Sequence, residues 1–266
     1  MTSYRYPLEQ LILVLTISLL SIAAVVFAGP TLCLAPVFLI VVIALSYRMN
    51  QVQHQALLAQ GAPVSSSNLP ALDRIMNQIA RRLRVGPVVF FVVPGRQVNA
   101  YTFGLSDPKV VVVFSSLLKA MDEDELRFVL GHELGHVALG HAWLNTLLGG
   151  MAGVPVTVGA AVVLTLAFRW WNRMCEYSCD RAGLLACGNV NKAISALIKL
   201  FSADADTPQE IEQALRVIEQ EDDSPLNVLA EMLSTHPMLV RRIQKIKEYA
   251  ASSEYRYLQS RVNQEV

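Results

Sequence analysis

The residues most able to do chemistry are His132, Glu133 and His136, which stand as His132-Glu133-Leu134-Gly135-His136. On a helix, positions four apart project from one face, so both imidazoles can reach one Zn²⁺. Glu133 sits beside them and can take a proton from an attacking water. Five residues can also match by chance, and the competing reading is a helix whose histidines are ordinary surface or core residues. A catalytic zinc needs a third protein ligand. A further His six positions after the second one is ruled out, because Leu139 and Ala142 occupy the positions such a pattern requires. His141 is nine positions from His132, about 13 Å along a continuous helix, and reads as a helix-face histidine outside the ligand set. Glu176 is the better candidate, and Asp180 shares its helical face, where it can hold a ligand histidine by the other ring nitrogen. The bland alternative for this Glu…Asp pair is a solvent face.

The elements that must position these groups are legible in part. Asp122 is a good N-cap and Glu125 completes a capping box, so a helix starts there and carries the two histidines. A second helix, from about 170 to 187 and stopped by Gly188, carries Glu176 and Asp180. Leu72, Ile75, Met76, Ile79 and Leu83 recur at helical spacing and predict an amphipathic helix over 71–84. Val88–Val93 and Lys109–Phe114 are β-branched and aromatic runs and predict strands; residues 97–103 predict a third. From Asp122 onward the pattern is helical almost throughout. The fold class is therefore α+β, predominantly helical, with a small β-sheet.

Several other residues have two readings. Thr235-His236-Pro237 reads as a helix start, Arg242 as an exposed charge and Asn99 as a turn residue. Together with Asn99-Ala100-Tyr101, His132–Glu133–His136, Glu176, Asp180 and the following Arg242-Ile243, however, the order and spacing resemble the HtpX-like membrane metallopeptidases, relatives of the CAAX prenyl proteases. The resemblance covers roughly residues 70–250. It implies a glutamate-zincin fold, with Asn99 and Ala100 on an edge strand that binds substrate backbone. It also implies that His236 stabilises the oxyanion and that Arg242 supports the site.

The remainder of the chain points to a membrane. Charged residues are only 17% of the 266 and the mean hydropathy is +0.39, with the apolar residues in blocks. Residues 11–28 and 31–47 are apolar runs near the lower limit for crossing hydrocarbon, roughly 17–25 residues. Gly29-Pro30 between them predicts a tight transmembrane hairpin over 1–50. Arg5 and Arg48 flank the pair and its turn is uncharged, so both ends, and the catalytic domain, are expected in the cytoplasm of an inner-membrane protein. The rival reading is a secretory signal ending near Val26-Phe27-Ala28, whose apolar core would be long and whose neighbour would still anchor the product. Residues 51–70 read as a polar linker, and 71–266 as the peptidase domain. The resembling enzymes carry two further spans between the second histidine and the glutamate, yet 147–168 is too short for two crossings. A single crossing would separate His136 from Glu176, so 144–169 is expected to turn back at Gly149-Gly150 and Gly153-Val154-Pro155. Trp143 and Trp170-Trp171 are placed at the bilayer interface.

A formal net charge of zero gives no field for nucleic acid, and the acidic stretch 204–223 reads as a solvated face. Cys33, Cys175, Cys179 and Cys187 read as small buried residues in a reducing compartment, not a disulfide framework. The function expected is zinc-dependent endopeptidase action, with one Zn²⁺ per chain, on peptides or proteins associated with the bilayer, in quality control. The alternatives are a dedicated processing peptidase and a non-catalytic membrane scaffold with a structural zinc.

Overall fold

A computed structural model describes residues 4–28, 34–148, 159–201 and 239–264. Helices α1 (Glu9–Ala28) and α2 (Leu34–Leu58) come first, then β1 (Ala62–Pro63), α3 (Pro70–Leu83), β2 (Val88–Val93), β3 (Ala100–Phe103) and β4 (Lys109–Phe114). Helices α4 (Ser115–Ala120), α5 (Glu123–Ala138), α6 (His141–Leu148), α7 (Gly159–Cys187), α8 (Val190–Phe201), α9 (Leu239–Ala251) and α10 (Ser253–Gln264) complete the described chain. The architecture is mostly helical with one small mixed sheet, as the sequence predicts.

The sheet runs β1-β2-β4-β3, so β3 is an outer strand. Strands β2 and β4 pair in parallel and cover the predicted ranges, while β3 lies antiparallel to β4 with Ala100 opposite Val113. Continuous apolar runs such as Val88–Val93 belong to strands covered on both faces. On one face Phe90, Ala100, Val111 and Val113 join the main core with α3 and α5; on the other, Val93, Phe103 and Val112 meet Leu57 and Leu58 of α2.

That second face corrects the expectation of a linker over 51–70. Helix α2 continues to Leu58, His54 stacks on Phe103 with ring centroids 3.9 Å apart, and β1 pairs with β2. The sheet needs a cover, and the end of α2 supplies it.

Helix α5 opens with the predicted capping box. The Glu125 N–H donates to Asp122 Oδ1 and the Asp122 N–H to Glu125 Oε2, both at 3.0 Å, worth about 1 kcal/mol for such a cap. The buried Glu125 also accepts from Ser195 Oγ at 2.6 Å and Lys199 Nζ at 2.8 Å, which ties α5 to α8. Helix α5 lies closely along α7 because both present small residues to the seam. A Cβ on Gly131 would stand 2.4 Å from the Ala186 Cβ, and one on Gly183 would stand 2.7 Å from the Phe128 carbonyl oxygen. Helix α7 begins at Gly159, well before the predicted 170, and stops where expected at Gly188, whose φ of +69° suits glycine.

Among the described residues, no helix is long and apolar enough to cross a membrane; the side chains of Leu20, Ala23, Ala24, Phe27 and Ala28 in α1 are outside the described residues. Helices α1 and α2 contact one another. The expected turn at Gly29-Pro30, the break at Gly149-Gly150 and Gly153-Val154-Pro155, Cys33, the acidic stretch 204–223 and Thr235-His236-Pro237 all lie outside the described residues.

Candidate active site

Helix α5 buries His132, Glu133 and His136, and α7 presents Glu176 between the two histidines. His132 Nε2 lies 3.5 Å from Glu176 Oε2, and His136 Nε2 lies 3.5 Å from Glu176 Oε1. A tetrahedral zinc with bonds of about 2.0–2.1 Å needs ligand atoms roughly 3.3–3.4 Å apart. The donor set therefore fits the ion.

A second set, His132, His136 and Cys179, has its ligand atoms within 4.8 Å of one another. It fits less well. Cys179 Sγ is 3.6 Å from His141 Nδ1, itself 3.3 Å from His136 Nδ1, whereas Glu176 faces both Nε2 atoms. Burial also pushes the Cys179 thiol well above its ordinary range, so it holds its proton.

Asp180 and Arg242, the sequence-predicted supports, come together behind His132. His132 Nδ1 is 3.0 Å from Asp180 Oδ1. With the Nδ1 proton on that bond, Nε2 keeps its lone pair for a metal. Arg242 donates to both Asp180 oxygens, from Nε at 2.8 Å and from Nη2 at 2.6 Å, and its Nη1 lies 3.2 Å from Glu176 Oε2. This planar, two-pronged grip on a carboxylate corrects the reading of Arg242 as an exposed charge.

The electrostatics follow from the burial. Desolvation alone would raise Glu176 and Asp180, yet the Arg242 guanidinium and the histidines hold Glu176 well below the carboxylate range and lower Asp180 as well. Burial works against the charged form of His132, but its bonds to Asp180 and Glu176 hold it up at about 10 in the metal-free protein. Burial raises Glu133, the direction that suits a general base working near neutrality, and the neighbouring histidines oppose it.

The strand carrying the predicted Asn99 and Ala100 does reach the site, but through another residue. Thr102 of β3 donates from Oγ1 to Glu133 Oε2 at 2.8 Å. Asn99 stands just before β3; its carbonyl accepts from the Phe114 N–H at 3.1 Å and its side chain from the Ala100 N–H at 2.9 Å. Thr102 was legible only as a residue two positions from Ala100, hence on the same strand face.

His141 is also differently placed. Helix α5 ends at Ala138 and Gly140, at φ +77°, turns the chain, so the distance along a continuous helix does not apply. His141 starts α6, is 1% exposed and packs edge-on to His136 and Trp171. Trp171 is correspondingly buried, contrary to its expected place at an interface, while Trp143 and Trp170 are exposed. Cys175 and Cys179 are buried free thiols, as expected, and Cys187 is half-buried.

A helix bearing two histidines and a glutamate, laid against a second helix that supplies another glutamate, defines a metallopeptidase of largely helical fold. The chain belongs to peptidase family M48, whose sequence profile matches residues 66–250. Within it the chain is similar to proteins named Protease HtpX. It is 33% identical over 218 residues to the plastoglobule-localized metallopeptidase 48, chloroplastic, of Arabidopsis thaliana, covering 75% of this chain and 62% of that protein. It thus spans less than two thirds of that relative. A Protease HtpX homolog of Pelotomaculum thermopropionicum is 23% identical over 229 residues, covering 73% of this chain and 80% of the relative. Among solved structures, that of S. mikatae Ste24p shares the fold with a TM-score of 0.52 at 20% identity, over 91% of this chain and 63% of that one.

Proposed function

We propose that the chain is a membrane-anchored zinc endopeptidase of the glutamate-zincin type, with His132, His136 and Glu176 holding one Zn²⁺ and Glu133 as general base. The observation that carries the reading is the pair of 3.5 Å separations between Glu176 and the two histidine Nε2 atoms, with the buried Glu133 beside them.

Bound there, zinc supplies Lewis acidity to the water and to the scissile carbonyl. Glu133, aimed by Thr102, takes the proton of the attacking water and returns it to the leaving amine. His236 donates to the oxyanion as charge develops there; it lies three residues before α9, the helix that brings Arg242 to the site. The extended substrate adds to the outer edge of β3 near Asn99 and Ala100, so recognition is mainly through main chain and sequence tolerance is broad.

Anchoring is supported by the apolar surface of the first two helices. Leu11, Val14, Leu15, Ile17, Ile22 and Val25 of α1 are 51–75% exposed, as are Ile40 and Leu45 of α2 at 65% and 60%. So many exposed apolar side chains call for a partner such as lipid. With Arg5 and Arg48 on the cytoplasmic side, the active site faces the cytoplasm at the bilayer, where membrane or misfolded proteins are the substrates of a quality-control enzyme.

The test is metal analysis with casein cleavage in detergent, comparing the unmodified protein with Glu133→Gln. The amide keeps the shape but cannot accept the proton, so zinc and fold should persist while turnover falls about 100- to 10,000-fold. Equal activity would remove Glu133 from the mechanism and favour a scaffold with structural zinc. A single product from a mixed set of substrates would favour a dedicated processing peptidase.

A further inference from the structure

We propose that Glu9 and His141 form a hydrogen-bonded chain that orients His136 for the metal, making the segment that opens α1 a working part of the metal centre. The proposal rests on the reading that His132, His136 and Glu176 hold zinc. At Nδ1, His132 meets the Asp180 carboxylate, whereas His136 meets another imidazole. His136 Nδ1 lies 3.3 Å from His141 Nδ1, and His141 Nε2 lies 2.9 Å from Glu9 Oε1. His136, His141 and Glu9 are 8%, 1% and 0% exposed.

Donor counting sets the direction of the chain. A carboxylate only accepts, so His141 Nε2 carries a proton and donates to Glu9. A ring with one proton then presents Nδ1 as an acceptor, faced by His136 Nδ1 at 3.3 Å and by the Cys179 thiol at 3.6 Å; an imidazole N–H is the stronger donor and the nearer, so His136 Nδ1 donates. That leaves the lone pair of His136 on Nε2, the atom facing Glu176 Oε1 at 3.5 Å. The outcome matches what Asp180 does for His132, reached through one intervening ring.

Glu9 is itself held in place. Arg5 Nη1 and Ser178 Oγ both donate to its oxygens. Arg5 Nη2 donates to the Leu139 carbonyl at 2.7 Å, and the Tyr6 N–H donates to Ser178 Oγ at 2.8 Å. Ser178 lies on α7 midway between Glu176 and Asp180. A carboxylate without exposure at the head of an apolar helix is costly unless fully partnered, and here its partners are Arg5, His141 of α6 and Ser178 of α7, the helix that bears Glu176. Glu9 and His141 are positioning residues: neither touches substrate.

The experiment uses the full chain in detergent, stripped of metal, with zinc affinity read by competition against a chromophoric chelator and the visible spectrum of the Co²⁺ form as a second signal. His141→Leu should weaken zinc binding about 10- to 100-fold and perturb the Co²⁺ bands. Glu9→Gln keeps the shape without the charge and should weaken binding by a smaller factor. The double variant should be no weaker than His141→Leu, since both act on one chain. His141→Gln should recover most of the affinity, because its amide oxygen can accept from His136 and its NH₂ can donate to Glu9. His136→Ala is the control for the underlying site. Should His136→Ala lose zinc while His141→Leu binds as tightly as the unmodified protein, the chain has no orienting role. A loss in His141→Leu that His141→Gln does not restore would make His141 a packing residue and also overturn the proposal. Full zinc affinity in His136→Ala would instead overturn the ligand assignment.

Discussion

Thr102 Oγ1 donates to Glu133 Oε2 at 2.8 Å, which joins the outer strand of the sheet to the carboxylate of the histidine-bearing helix. One hydroxyl thus holds the carboxylate of the proposed general base. The strand proposed to bind substrate and the proposed base are thereby in direct contact.

Thr102→Val preserves the shape and removes that donor. A bond to a charged acceptor contributes roughly 1.5–3 kcal/mol, so kcat should fall about 10- to 100-fold with zinc content unchanged. The hydroxyl also lowers the Glu133 pKa against burial; without it that pKa rises. The acid limb of the pH profile of kcat/KM should therefore move to higher pH. An unmoved limb with normal kcat would show that Glu133 does not depend on Thr102.

Zinc binding should be steeply pH-dependent. His132 is held at about 10 in the metal-free protein, and a metal requires the unprotonated ring. Binding at pH 7 should release close to one proton from this group, and affinity should fall about tenfold for each unit of pH lost below 10. Calorimetry in buffers of different ionisation enthalpy reads the proton count directly. No release at pH 7 would mean that His132 is already neutral.

Arg242→Leu leaves Asp180 and Glu176 as buried carboxylates without their counter-charge. Breaking a buried pair from one side costs about 3–5 kcal/mol, read as a loss in the denaturation midpoint of the metal-free protein. Asp180→Asn is milder for the fold and should weaken zinc about 10- to 100-fold through His132.

Gly183→Ala tests the seam between α5 and α7. The added methyl would meet the Phe128 carbonyl oxygen at 2.7 Å, a backbone atom that cannot rotate away. Overpacking of this kind costs about 1–3 kcal/mol. Because the seam sets the separation of the histidines from Glu176, zinc affinity should drop with stability. An unchanged midpoint would mean that the helices separate freely.

His236→Phe addresses the proposed oxyanion donor. Removing such a group typically lowers kcat about 100- to 1,000-fold, with KM little changed. A rise in KM alone would make His236 a ground-state binding residue.

What could be read along the chain was whatever depends on local periodicity. The capping box Asp122/Glu125, the i,i+4 pair His132/His136, the Glu176/Asp180 face and the stop at Gly188 each need only a few consecutive residues, because helix geometry alone determines them. The strands β2 and β4 were legible for the same reason. What required the tertiary structure was everything decided by contacts between distant segments. Residues 51–58 look polar enough to be a linker, yet the sheet's second face recruits Leu57 and Leu58 and extends the helix. His141 looked remote because a straight helix would carry it away, but the turn at Gly140 brings it under His136. Glu9, some 130 residues earlier in the chain, has no periodic signal linking it to the motif. Hydrogen-bond satisfaction among buried groups depends on where segments meet, and no local pattern encodes that.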